Sequence, residues 1–138
     1  MKHASIVSAA VACACLALPS AASANGCTAS DIAGEWQMMT ILEGKQAACS
    51  LGVSRSGDIN KKAECVVSSS VEWELSGTLG VDSNCEILAD IKLKRGKGTL
   101  KFRGIAGLML KNGELFTISA IDKDDKTITN FLALRDRE

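Results

Sequence analysis

Histidines, clustered cysteines and paired carboxylates carry most of the acid, base and metal chemistry of small proteins, and this chain is thinly supplied with the first. Its one histidine is His3, inside an N-terminal stretch read below as removed. Without it no Ser-His-Asp or Cys-His nucleophile can be assembled, and the usual zinc hydrolase shells lack their commonest ligand. The residues therefore predict a protein that is not an enzyme and that uses no metal and no cofactor. Cysteine is better represented. Cys27, Cys49, Cys65 and Cys85 are spaced by 22, 16 and 20 residues, with no C-x-x-C pair among them. In an exported small domain such an even set reads as two disulfides rather than a zinc shell. Three pairings are possible and spacing does not select one. The favoured one joins Cys49 to Cys65 across a hairpin and leaves Cys27 to tie the N-terminal segment to Cys85.

The charged residues divide into one group of interest and two that are ordinary. Glu72 and Glu74 share one face of a strand and read as a solvated surface. Asp122-Lys123-Asp124-Asp125-Lys126 lacks the spaced oxygen ligands and closing glutamate of an EF-hand, so it predicts a polar hairpin turn. Lys92, Lys94, Arg95, Lys97, Lys101 and Arg103, by contrast, cluster on a single predicted hairpin and face outward by alternation. Such a patch suits phosphate groups, lipopolysaccharide or an acidic protein surface; it would also keep a sheet from aggregating. It has no interleaved aromatics on which bases could stack, so nucleic acid is not an expected partner.

These residues must be held by a small exported domain. Lys2 and His3 precede an apolar run from Ile6 to Leu18, then Pro19 and the small residues Ala21, Ala22, Ser23 and Ala24. The run is shorter than the roughly 20 residues that span a bilayer, and Ala22-Ser23-Ala24 fits the A-x-A cleavage pattern. Residues 1–24 thus read as a signal peptide and 25–138 as one domain, periplasmic or secreted, with no transmembrane segment after signal removal. Lipid attachment at Cys27 would want a large aliphatic residue at position 24, where Ala24 stands. Lys2 is the only formally charged residue among the first 24, so its loss takes the net charge from zero to −1. No global pull toward nucleic acid or an anionic membrane follows.

Within the mature region the dominant pattern has period two. Trp36, Met38, Thr40 and Leu42 alternate with Gln37, Met39, Ile41 and Glu43. Further strands are expected at Ala47 to Val53, at Ala63 to Val67, and from Val71 on toward Val81. Ile87 to Leu93 and Leu100 onward should flank the turn Arg95-Gly96-Lys97-Gly98. Gly104 and Gly107 suggest a bulge or barrel bend, and Asn112-Gly113 is the strongest short hairpin signal. Leu115 to Ile121 and Thr127 to Arg135 complete the set, while Ser54 to Asn60 reads as a polar loop. Seven to nine short strands with tight turns predict an all-β domain: a single antiparallel up-and-down barrel of about eight strands, with a β-sandwich as the alternative. A barrel of that size either fills with side chains or holds one small ligand. Two Trp, three Phe and no Tyr are few for an aromatic cage.

At Asp31-Ile32-Ala33-Gly34-Glu35-Trp36 the first strand resembles the Gly-x-Trp signature of the calycins, the lipocalin-like barrels. The resemblance implies that an arginine on the last strand packs across Trp36 and closes the barrel base, a role for which Arg135 is the candidate. Among small exported calycins the chain is most similar to the bacterial metalloprotease inhibitor family. That resemblance implies an N-terminal tail, here Asn25, Gly26 and Thr28 to Ser30, that enters a protease cleft and caps the catalytic zinc with its terminal amine. The chain departs from the family in having four cysteines where two are typical, and Cys27 would tether the tail. The expected function is a non-enzymatic exported binding protein of the cell envelope with a protein partner, peptidase inhibition of a secreted protease being its sharpest form. The alternatives are a carrier of a small apolar ligand and a structural or adhesive surface protein.

Overall fold

A computed structural model describes residues 26–68, 71–110 and 112–137. Residues 1–24, read from the sequence as a signal peptide, and Asn25 lie outside the described residues. A short 3-10 helix, Ala29–Ile32, leads into eight strands: β1 Gly34–Leu42, β2 Lys45–Val53, β3 Glu64–Val67, β4 Val71–Val81, β5 Ile87–Arg95, β6 Gly98–Met109, β7 Leu115–Asp122 and β8 Ile128–Arg135. Each strand pairs antiparallel with the next, and β1 also pairs with β8, so the sheet closes as an up-and-down barrel rather than a sandwich. Among the described residues closure leaves no strand of the sheet without a neighbour on each side. Among the described residues no helix is long and apolar enough to cross a membrane.

Period-two burial is what makes the strands curl around one interior. In β1 the inward set Trp36, Met38, Thr40 and Leu42 is buried while Gln37, Met39 and Ile41 are exposed. The same alternation puts Cys49 and Leu51 of β2, Trp73, Leu75 and Leu79 of β4, and Ile91 and Leu93 of β5 inside. Phe102, Phe116 and Phe131 join them, so all five aromatic residues of the chain are buried. Trp36 meets Phe116 edge to face at 4.5 Å between ring centroids, and Phe102 meets Phe131 at 5.8 Å, both within the range such pairs prefer. Thr40, the one buried hydroxyl in this core among the described residues, donates to the carbonyl of Asn130 at 2.7 Å.

Two segments differ from a simple strand-and-turn reading. Residues 54–60 do not loop freely, because Ile59 donates its N–H to the carbonyl of Gly77 and Asp58 bridges Thr78. The segment thereby covers part of β4 that the four-residue β3 is too short to pair. Gly77 takes a φ of +122 there, and a Cβ would collide with the Asp90 carbonyl, which explains why a glycine interrupts this alternating strand. In β6 the register with β7 shifts between Gly104 and Ala106, placing the anticipated bulge at Ile105.

Both disulfides form in the favoured pairing. Cys49 and Cys65 are directly opposed between β2 and β3 and point into the core. Cys27 is bonded to Cys85, 58 residues away, fixing the N-terminal segment beside the β4–β5 connection.

Candidate functional site

Three regions gather the candidate side chains: the barrel base, the N-terminal segment against it, and the outer face of the β5–β6 hairpin. At the base Trp36 stands inside the first strand and donates its indole N–H to the Ile32 carbonyl at 2.8 Å. Arg135 lies over the Trp36 ring, its guanidinium carbon 4.3 Å from the ring centroid. Its three nitrogens reach three carbonyls: Nε donates to Gly113 at 2.7 Å, Nη1 to Ala33 at 2.8 Å and Nη2 to Asp31 at 2.7 Å. One planar fork thus ties the last strand, the β6–β7 turn and the entry to β1, a task a lysine's single ammonium could not do. Gly34 makes room, since with φ +128 a Cβ at that position would lie 2.6 Å from Arg135 Nη1. Ile32, fully buried, caps the interior beside them. Gly34, Trp36 and Arg135 are therefore brought together as a structural closure.

The N-terminal residues divide into an anchor and an exposed part. Gly26, Thr28 and Ser30 are exposed, and Cys27 between them is partly buried by its bond to Cys85. The Thr28 N–H donates to Asp31 Oδ2 at 2.7 Å, capping the 3-10 helix.

On the β5–β6 hairpin all six basic residues are exposed. Lys92, Lys94, Lys101 and Arg103 stand on the sheet face, whereas Arg95 ends β5 and Lys97 lies in the turn, where alternation no longer applies. Lys92 and Lys101 are directly opposed across the two strands, a pairing of like charges that costs stability. Arg103 opposes Asp90, but Asp90 is taken by Lys123, with Nζ at 3.1 Å. Among the described residues none of the six cations forms an ion pair; the two that form are Lys123 with Asp90 and Arg137 with Glu114. Glu72 and Glu74 are exposed as expected, Glu74 opposing Lys94.

The 122–126 stretch forms a turn. Asp122 accepts N–H bonds from Asp124 and Asp125, and Asp125 accepts from both the N–H and the hydroxyl of Thr127. The Thr127 hydroxyl, then its N–H, hold the Asp125 carboxyl below its ordinary pKa.

One surface feature is not marked by charge or spacing. Outside the barrel, register aligns Ala48, Met39, Leu132, Thr117 and Leu108 in a row across β2, β1, β8, β7 and β6. Leu88 and Ile105 continue the exposed aliphatic surface onto β5 and the bulge, lining a groove of about 520 Å³ with Leu108. A second groove, of about 590 Å³, is lined by Met39, Ile41, Ala48 and Val66. The signal was present in runs such as Phe131-Leu132-Ala133-Leu134, where both parities are apolar and an inward face alone cannot account for them.

The arrangement puts the charged and exposed aliphatic groups outside and a packed core within. Trp36, Met38, Leu79, Ile91, Leu93, Phe116 and Phe131 occupy the space where a barrel with a ligand cavity would be open. An outer-membrane barrel turns its polar side chains inward, and this interior has the opposite character. No family model matches the chain, and no curated protein matches it significantly in sequence. In fold the chain is similar to a solved redesigned β-barrel, with 17% identity, 78% of this chain and 94% of that chain covered, and a TM-score of 0.58. At that identity the likeness concerns fold alone.

Proposed function

We propose that this chain is an exported, non-enzymatic binding protein of the cell envelope that acts through its outer surface, with inhibition of a secreted metalloprotease as its sharpest form. The observation that carries the reading is the occupied interior: with the aromatic and aliphatic side chains in contact inside, the groups left to meet a partner are at the base and on the outer faces. Two disulfides fit an oxidising compartment such as the periplasm or the exterior. A carrier of a small apolar ligand would need the room those side chains take.

The Gly34, Trp36 and Arg135 closure supports the calycin resemblance, because it gives each of the three a physical task. Tethering at Cys27 changes how the inhibitor tail would work. With cleavage after Ala24 only Asn25 and Gly26 precede the anchor, so the arm is short and its amine stays close to the barrel. A short anchored arm loses less freedom on binding than a long flexible one. The test is titration of the mature oxidised protein against secreted zinc metalloproteases. Stoichiometric loss of protease activity is expected, abolished when two residues are added before Asn25. Full protease activity at an excess of the protein would remove the inhibitor reading.

A further inference from the structure

We propose that the outer face of the β5–β6 hairpin is a docking surface for an anionic lipid layer, its cations meeting phosphate headgroups and its aliphatic side chains entering the headgroup boundary. The inference goes beyond the inhibitor reading and uses none of its residues. The fold leaves positive charge on this hairpin unanswered. Lys92 and Lys101 face each other across the strands, Arg103 loses Asp90 to Lys123, and Arg95 and Lys97 extend the same sign to the turn. The like-charge opposition of Lys92 and Lys101 disfavours folding, whereas an external anion would be attracted by all five cations. The net charge of the mature chain hides this, since the field that a surface meets is local.

The second observation is what lies beside the cations on the same two strands. Past Asp90 and Arg103 the outward positions become Leu88, 61% exposed, Ile105, 50%, and Leu108, 52%. A band of cations next to a band of exposed aliphatics is the composition of surfaces that lie at a lipid interface. The long basic side chains can reach headgroups while the Leu and Ile side chains sit deeper. Other occupants fit less well. All five aromatics are inside, so the face has no stacking platform for bases and no Trp or Tyr to anchor a protein partner. A second copy meeting this face would answer the aliphatics and leave the cations opposed.

The test uses the mature oxidised protein and co-sedimentation with two vesicle preparations, pure phosphatidylcholine and three parts phosphatidylcholine to one part phosphatidylglycerol. The expected result is binding at least about tenfold stronger to the anionic vesicles, falling by a similar factor as salt is raised from low to several times physiological strength. Lys92→Glu combined with Lys101→Glu should abolish it. The milder Arg103→Gln should weaken it severalfold, which keeps the charge test available if the double variant folds poorly. Leu88→Ser with Leu108→Ser should weaken binding while preserving its salt dependence; Lys45→Glu, at the start of β2, should leave it unchanged. Equal binding to both vesicles, no binding to either, or indifference to the lysine changes would overturn the proposal. So would full displacement by millimolar inorganic phosphate, which would mark a free-anion site, or self-association through this face without lipid.

Discussion

At the scale of single residues, Arg135 carries the largest structural task in the chain. Its guanidinium satisfies the carbonyls of Asp31, Ala33 and Gly113 and covers Trp36. Arg135→Ala leaves those carbonyls without their donor and the indole face uncovered, so a loss of about 2–4 kcal/mol is expected, read as a lower urea midpoint. Arg135→Lys should recover little of it, because one ammonium cannot span three acceptors. Gly34→Ala should be harmful for a different reason: its Cβ meets the same guanidinium while φ stays at +128. Equal urea midpoints for all three variants and the native chain would contradict this account. The Gly-x-Trp and arginine pattern was readable before the structure; that the fork reaches three separate carbonyls was not, because backbone oxygens leave no mark in a sequence.

At the scale of elements, the two disulfides do different work. Cys49–Cys65 joins strands that already pair, within a loop of 16 residues, and the loop-entropy relation assigns it about 3 kcal/mol. Cys27–Cys85 closes 58 residues and is assigned about 4 kcal/mol. Replacing both members of one pair with Ser should show the difference in kind. Without Cys27 and Cys85, amide exchange should rise first over residues 26–32 while the barrel strands stay protected. Without Cys49 and Cys65, whose sulfurs are inside the core, the whole barrel should lose stability together. Uniform exchange in both variants would show that the N-terminal segment is not a separate unit. Strand positions were legible wherever one face is dry and the other wet, as in β1, β4 and β5. The bulge at Ile105 was anticipated from its flanking glycines. The bridges at Asp58 and Ile59 were missed because Ser54 to Asn60 carries only turn-forming and polar signals, and its hydrogen bonds go to a distant strand.

At the scale of the molecule, closure is a non-local event, since β1 must find β8 near the other end of the chain. Barrels dominated by such pairings fold slowly, on the order of milliseconds to seconds. Trp36 and Trp73 are both buried in the one core, so stopped-flow fluorescence should report a single phase in that range with the disulfides intact; a microsecond phase carrying most of the amplitude would contradict it. The sequence by itself determined the fold class, the period-two burial, the alternation of charge on the β5–β6 hairpin and the supply of cysteines for two bridges. These follow from local rules: side chains alternate along a strand, and turn residues mark its ends. Only the tertiary structure decided that the sheet closes as a barrel rather than a sandwich, that Cys27 reaches Cys85, and that Asp90 goes to Lys123 and leaves Arg103 unpaired. Each of those depends on which strands become neighbours, and neighbourhood between distant segments is set by the packing of the whole core.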